Sequence, residues 1–196
     1  MSNSREQILA KVRANQPQDE RPLPDLSAFP ARSSELQDQF MTVLSLIGGK
    51  AIKVANYAAI EEYLRSNPQH GRMVTSIPEL YGIAKPILAP GDPHELADVE
   101  LAIISGEFGV AENSAIWVTE NNFVQRATPF ICQYLAIVLP AQQICANMHQ
   151  AYQRLQGLEY NFGVFIAGPS KTADIEQSLV LGAHGARTMT VFLLEN

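Results

Sequence analysis

The chain has 196 residues, with 14 lysines and arginines against 20 aspartates and glutamates and a formal net charge of −6. This length allows one domain with a substantial core plus an extension. The acidic balance, with no basic patch, excludes nucleic acid and anionic membranes as expected partners. No apolar run reaches about 18 residues, and Ile8 and Leu9 stand among charges, so we expect a cytoplasmic protein without a membrane span or signal peptide.

The first 32 residues are predicted to form an extension of the main domain. Ser4 and Gln7 have the spacing of a capping box and open a short amphipathic helix. Four prolines among polar residues at 17–30 then indicate an extended arm. The predicted organisation is a helix and Pro-rich arm over 1–32 and an α/β domain over 33–196. The arm either docks on a neighbouring chain, as in a homo-oligomer, or folds back on its own domain.

Strand and helix patterns alternate through the middle of the chain. Apolar residues recur at helical spacing from Leu36 to Ile47, and Asn56 is a candidate cap for a second helix. Residues 123–126 are expected to pair back as a hairpin after a turn at 121–122. Alternating strands and helices predict an α/β fold, a layered sheet covered by helices on both faces. Apolar runs place strands at 50–54, 72–75, 99–104, 116–119 and 134–139.

A long helix is predicted to begin after Pro140 and to end at Gly157, with Cys145 on its apolar face. Cys145 and Cys132 are the two cysteines of the chain, and they form no C-x-x-C motif. A four-cysteine iron–sulfur or zinc site cannot be built from two thiols in one chain, so no metal centre is expected here. Cys145 is predicted to lie in the core.

The C-terminal region is predicted to form a βαβ unit. An apolar run at 162–167 ends in a turn at 168–170, helical spacing continues over 172–181, and a second apolar run follows at 189–194. In that arrangement Ser170 lies at a helix N-terminus.

A helix N-terminus attracts anions because its first N–H groups are unpaired and its dipole is positive there. Gly168 and Pro169 shape the turn, and Ser170 and Thr172 are natural caps, so these four residues are candidate ligands for a carboxylate or phosphate. Asp174, in the first turn, complements the helix dipole. The alternative is that Ser170 or Thr172 only caps the helix.

A second polar group lies at Glu112, Asn113 and Ser114, between apolar residues. A carboxylate in apolar surroundings has a raised pKa and can act as an acid, a base or a nucleophile. Alternatively, Glu112 bonds a neighbouring backbone group or an arginine.

His184 and Arg187 are further candidates, because they follow Gly182 in a turn. His184 can contact a ligand, carry a proton or lock the loop, and Arg187 can clamp a carboxylate or pair with Glu195. A helix over 172–181 would be about 15 Å long, which would separate Ser170 from His184 and argues against a hydrolase triad.

Two of these segments, 168–176 and 182–187, together resemble the C-terminal signature of the LUD domain family, which includes lactate-utilisation protein C. Family members carry an Ala-Glu motif followed by a Thr-Gly-Thr turn. Ala111 and Glu112 match that motif, but the turn here is Asn113-Ser114-Ala115, and the family's histidine and proline are replaced by Tyr134 and Ala186. The sequence is identified as a divergent member.

This resemblance implies a fold similar to the NagB/RpiA/CoA-transferase-like proteins. It implies that Glu112 is the catalytic candidate. It also implies that a small carboxylate, phosphate or CoA-type ligand binds at the remaining candidates, which are Asn113, Ser114, Gly168, Pro169, Ser170, Thr172, Asp174, His184 and Arg187. It implies an accessory role, with iron–sulfur partner proteins, in oxidation of L-lactate to pyruvate. It leaves open a stand-alone CoA-transferase-like or folate cyclo-ligase-like enzyme, or a non-catalytic interaction module that uses the N-terminal arm.

Overall fold

A computed structural model of the protein describes residues 3–17, 35–67, 71–87, 91–173 and 179–195. The chain divides into two compact units, residues 1–30 and 31–196. In the first unit, helix α1 (Ser4–Ala14) begins after Asn3, whose side chain accepts a hydrogen bond from the Arg5 amide at 3.2 Å. The predicted helix is therefore present, although Asn3 rather than Ser4 caps it. Across the described residues, no helix is both long and apolar enough to cross a bilayer.

The second unit contains five α-helices and twelve strands among its described residues. The helices are α2 (Leu36–Leu46), α3 (Tyr57–Ser66), α4 (Glu120–Phe123), α5 (Thr128–Ile131) and α6 (Met148–Leu155). The strands are β1 (Lys50–Val54), β2 (Arg72–Thr75), β3 (Lys85–Pro86), β4 (Val99–Ser105), β5 (Phe108–Val110), β6 (Ile116–Thr119), β7 (Tyr134–Pro140), β8 (Ile144–Cys145), β9 (Gly163–Ile166), β10 (Lys171–Ala173), β11 (Leu179–Leu181) and β12 (Thr188–Leu194).

Six strands form an all-parallel main sheet in the order β1-β12-β7-β4-β2-β3. Its central strands are continuous apolar runs because both faces are buried. Along β4, Ile103 faces one core cluster and Ile104 faces the other, and both are fully buried. The predicted α/β class is confirmed.

Different layers cover the two faces of the main sheet. On one face, α3 packs Ile60 and Leu64 against β4 and β12; Asn56 caps this helix as predicted, by accepting from the Ala59 amide at 3.0 Å. On the other face, α2 contributes Phe40, and a four-stranded small sheet lies beside it. The sheet is thus enclosed on both sides, as a parallel sheet requires.

The small sheet has the order β8-β5-β6-β9, with β6 antiparallel to both β5 and β9. Along β6, Ile116 and Val118 point into the core of the main sheet, and Trp117 points to the outer face. Helix α6 covers that outer face with Ala151 and Leu155. This sheet carries the connection from β4 to β7 and positions the polar residues discussed below.

The predicted C-terminal βαβ unit is wrong. Residues 171–173 and 179–181 form an antiparallel hairpin, in which Lys171 pairs with Leu181 and Thr172 with Val180. β9, the strand before it, belongs to the small sheet, whereas β12 belongs to the main sheet. Apolar residues of the hairpin happen to fall at helical spacing, which produced the wrong prediction.

Two further predictions are wrong in part. The chain after Pro140 forms a turn and strand β8 before α6 begins at Met148, because Asn147 caps that helix by accepting from the Gln150 amide at 3.0 Å. The predicted hairpin at 123–126 does not form. Residues 120–123 are instead the short helix α4, which begins at the capping box of Thr119 and Asn122, and residues 124–126 belong to no strand. The expected burial of Cys145 is confirmed, on β8.

Candidate functional site

Glu112 lies in the turn between β5 and β6, and its side chain is exposed. Its Oε2 accepts a hydrogen bond from the Met148 amide at 3.0 Å, and its own amide donates to the Ala146 carbonyl at 3.1 Å. The carboxylate therefore meets the first residue of α6, where a negative charge complements the helix dipole. In this arrangement Glu112 bonds a neighbouring backbone group.

Asn113 and Ser114 complete the same turn through internal hydrogen bonds. Asn113 Oδ1 accepts from the Ala115 amide at 3.0 Å, and the fully buried Ser114 donates from Oγ to the Phe40 carbonyl at 3.2 Å. Ser114 has a φ of 56°, a left-handed conformation that glycine adopts without strain. Ser114 therefore has the backbone conformation of a glycine, at the position where the family's Thr-Gly-Thr turn has its glycine.

The turn at Gly168 and Pro169 packs against α2 and does not begin a helix. Gly168 has a φ of +72°, and a Cβ at this position would lie 2.9 Å from Ile47 Cδ1, while Pro169 is buried. The Ser170 amide donates to the Ala186 carbonyl at 2.8 Å. The predicted helix N-terminus with a free amide at Ser170 is therefore wrong.

Residues 182–187 fold back onto this turn through the β10–β11 hairpin. The Gly182 amide donates to the Ser170 carbonyl at 3.1 Å, and a Cβ on Gly185 would lie 3.2 Å from Ser170 Cβ. A Cβ on Gly182 would lie 2.3 Å from Arg187 Cγ. The hairpin therefore brings Gly185, the residue after His184, against Ser170, so the predicted separation of Ser170 from His184 is wrong.

His184 and Arg187 are exposed beside this turn. Thr172 lies on β10, two residues beyond Ser170, which precedes that strand. Arg187 precedes β12 whereas Glu195 follows it, so the alternative of an Arg187–Glu195 pair is wrong. Asp174 lies outside the described residues. We call Ser170, Thr172, His184 and Arg187 the hairpin cluster.

The pairing of β6 with β9 brings the Glu112 turn and the Gly168 turn to one end of the small sheet. Ile116 pairs with Ile166, so the turn at 111–115 and the turn at 168–170 both leave the sheet at that end. The first turn also contacts α2 at Phe40, and the second contacts Ile47, the residue that follows α2. Motifs far apart in sequence therefore lie on one side of the fold.

A different polar group lies at the opposite end of the small sheet, beside the carboxyl edge of the main sheet. Asn122 is 7 % exposed; its Nδ2 donates to Ser105 Oγ at 3.0 Å and to Glu107 Oε1 at 2.9 Å. Its Oδ1 accepts from the Thr119 amide at 2.6 Å and from Thr119 Oγ1 at 3.1 Å. Its carbonyl accepts from Ser76 Oγ. Asn122 thereby joins the ends of β2, β4 and β6.

A cleft of about 570 Å³ opens next to Asn122, and we call it the edge cleft. It lies at the carboxyl ends of β4 and β7, the place where open α/β sheets bind ligands. Its walls include Glu107, Phe108, Trp117, Gln143, Arg154 and Tyr160.

Glu107, Asn122 and Arg154 were not predicted from the sequence as functional residues. A signal was available for Glu107, because Gly106 and Glu107 directly follow a buried apolar strand, and polar residues after parallel strands meet at one edge. Asn122 has one local partner, Thr119 of the capping box, but Ser105, Glu107 and Ser76 come from other segments, so the sequence does not mark this network.

Neither cysteine offers a reactive thiolate. Burial raises the pKa of the Cys132 thiol to about 12 and also raises the pKa of Cys145. Both thiols are therefore protonated at neutral pH. Within the described ranges, no group of three or more His, Cys, Asp or Glu side chains is placed to hold a metal ion.

The fold and these sites define an α/β protein with an enclosed parallel sheet and an appended small sheet that carries its polar turns. The LUD domain family model matches residues 93–194, just over half of the chain, and the chain belongs to the LUD domain family.

Relatives of this chain carry a common name. Lactate utilization protein C of Shouchella clausii is 32% identical over 96 residues, covering 46% of this chain and 41% of that protein. The protein of the same name from Anoxybacillus flavithermus is 26% identical over 164 residues, covering 83% of this chain and 71% of that protein. The chain therefore spans only part of the length of these relatives.

The fold also occurs in a solved structure. A DUF162 family protein from Deinococcus radiodurans superposes with a TM-score of 0.65 at 16% identity, covering 84% of this chain and 99% of that chain. This similarity establishes the shared α/β architecture.

Proposed function

We propose that the chain acts in lactate utilisation, as an anion-binding accessory subunit of a cytoplasmic system that oxidises L-lactate to pyruvate. Support comes from the family membership and from the relatives named Lactate utilization protein C, one of which aligns with 83% of this chain. With two cysteines, the chain lacks the thiolates of a four-cysteine cluster, so we assign electron transfer to iron–sulfur partner proteins.

The ligand in this proposal is a small carboxylate held at the hairpin cluster. The observation that carries it is the β10–β11 pairing, which folds residues 182–187 onto Ser170. A guanidinium binds a carboxylate through two parallel hydrogen bonds, which is the role assigned to Arg187. Within the described residues, no hydrogen bond occupies the hydroxyls of Ser170 and Thr172, so each of them can donate to an anion.

Glu112 has a structural role in this proposal. Its carboxylate supports the start of α6 and contributes no step of a reaction, unlike in a CoA-transferase-like enzyme, where it would act as a nucleophile. The accessory role therefore predicts that lactate or pyruvate binding does not depend on the Glu112 charge.

Isothermal titration with L-lactate and with pyruvate tests the proposed site. We expect one of the two acids to bind, and Arg187→Gln to weaken it about tenfold or more, because a charge-assisted hydrogen-bond pair is lost. Arg65→Gln is the matched control, since Arg65 is an exposed arginine on α3 that pairs with Glu61. The proposed site would be contradicted if neither acid binds, or if the Arg187 variant and the wild type bind with equal affinity.

A pull-down from the native host tests the accessory role separately. We expect an iron–sulfur protein, identified by its iron content, to co-purify with the tagged chain. Recovery of the chain alone, under conditions where lactate oxidation remains active in the extract, would argue against the role even if lactate binds.

A further inference from the structure

We infer that the edge cleft is a second ligand site, built for a planar nitrogen heterocycle that carries a phosphate or carboxylate group. This site lies at the other end of the small sheet from the turns at 111–115 and 168–170, and the inference does not depend on the proposed lactate role. Its chemistry follows from three walls of the cleft: a fixed carboxylate, a guanidinium and an aromatic surface.

The size of the cleft fits a ligand of nucleotide dimensions. Its volume is about 570 Å³, and small-molecule sites in proteins typically measure about 300–1,000 Å³. A three-carbon acid such as lactate would leave most of this space unfilled, so the cleft differs from the hairpin cluster in the ligand that it fits.

The carboxylate wall is Glu107, held by a buried side chain. Because Asn122 Oδ1 accepts from the Thr119 amide, its Nδ2 must face Glu107, and it donates to Oε1 at 2.9 Å. No hydrogen bond occupies Glu107 Oε2 within the described part of the chain. An ionised carboxylate only accepts hydrogen bonds, so this oxygen selects a ligand with N–H donors, such as the amino edge of a purine or pterin.

The cationic wall is Arg154, near the end of α6. Its Cζ lies 5.3 Å from the centroid of the Phe108 ring, and Nη1 donates to Gln143 Oε1 at 3.3 Å. These contacts orient the guanidinium and use only part of its five donors. The remaining donors match a phosphate or carboxylate, so the ligand must carry an anionic group as well as its N–H donors.

The aromatic wall consists of Trp117 and Tyr160, whose ring centroids lie 5.1 Å apart in an edge-on arrangement. Trp117 rests directly on the backbone, because a Cβ on Gly163 would lie 2.2 Å from its Cζ2. Tyr160 is 45% exposed at the mouth of the cleft. The neighbouring Asn161 donates to Glu120 Oε1 at 2.6 Å, which holds this wall in place. Trp117 is only 6% exposed, so the ring that a ligand can contact is mainly that of Tyr160, which favours a flat ring over a flexible polar chain.

Trp117 is the single tryptophan of the chain, so its fluorescence reports on this cleft. The experiment titrates the full chain with AMP, GMP and folic acid, and free tryptophan corrects for the light that these ligands absorb. Ribose 5-phosphate serves as an anion that lacks an aromatic ring. We expect saturable quenching by at least one of the first three ligands and none by ribose 5-phosphate. Failure of all three ligands to quench, or equal quenching by ribose 5-phosphate, would overturn the inference.

Two variants place the ligand in the cleft. Glu107→Gln keeps an acceptor for Asn122 but removes the charge, and Arg154→Gln removes the cation; each should weaken binding about tenfold. Arg187→Gln should leave quenching unchanged, which separates this site from the hairpin cluster. Unchanged affinity in either cleft variant, with a native circular dichroism spectrum, would also overturn the inference.

Discussion

Replacing Asn122 with alanine tests the network that joins the strand ends at the carboxyl edge. Asn122→Ala removes both donors to Ser105 and Glu107 and the acceptor of the Thr119 amide. Ser105 and Glu107 are partly exposed and can bond water instead, but the Thr119 amide is left unpaired in a buried position. An unsatisfied buried donor costs about 1–3 kcal/mol. This hydrogen bond is also the half of the α4 capping box that Asn122 supplies, so it is counted once, and we expect a loss of about 1–3 kcal/mol.

Urea denaturation followed by the emission of Trp117 measures this loss. With a slope of about 2 kcal/mol per molar urea, the midpoint should fall by about 0.5–1.5 M while the slope stays constant. The neighbouring Asn121→Ala is the control: Asn121 is exposed and makes no hydrogen bond within the described residues, so its free energy of unfolding should change by less than about 0.5 kcal/mol. Equal midpoints for the two variants would refute the role given to Asn122.

Three further predictions concern separate parts of the molecule. Gly157→Ala should lower the free energy of unfolding by about 1 kcal/mol, because φ is +76° but no atom lies within 4 Å of the new Cβ. Gly168→Ala should lower it by about 1–3 kcal/mol more in the same urea assay, because its Cβ would also meet Ile47. Cys132 should resist a thiol reagent at pH 8 until the protein unfolds, and rapid labelling of the folded protein would contradict this burial. Because its pKa is raised in the folded state, the free energy of unfolding should also fall as the pH rises between about 9 and about 12. Glu112→Gln should lower the free energy of unfolding by less than about 1 kcal/mol and leave lactate or pyruvate affinity unchanged; loss of binding with intact stability would restore a direct role for this carboxylate.

The strands of the main sheet were predictable from sequence because burial on both faces leaves a continuous apolar signal. The runs at 99–104, 134–139 and 189–194 each correspond to a strand within one or two residues. Patterns of this kind depend only on neighbouring residues, so no knowledge of the rest of the fold was needed.

The hairpin and the residues after Pro140 were mispredicted because short apolar runs satisfy helical and extended spacing alike. Leu179 and Val180 fit a helical face, but the pairing of Thr172 with Val180 makes them part of a strand. Likewise, Ile144 and Cys145 match a helix that extends to Leu155, yet Asn147 interrupts the pattern as a cap. Tertiary pairing decided both cases.

The candidate sites were predictable only where a local motif marked them. The residues of the hairpin cluster were named from sequence, but the hairpin that gathers them was not. The partners of Asn122 lie at or just after the ends of three strands, and their meeting depends on the order and register of two sheets. Such a constellation has no signature along the chain, because each residue is an ordinary polar residue in its own segment.

The position of β12 between β1 and β7 has a consequence for how the molecule assembles. Within the described sheet, β1 pairs only with β12, and Lys50 lies opposite Thr190, so most of the chain separates these partners. Contacts between such remote segments form slowly, because a large loop must close before any pairing compensates for the lost chain entropy. During synthesis on the ribosome, β1 must therefore wait without a partner until residues 188–194 emerge.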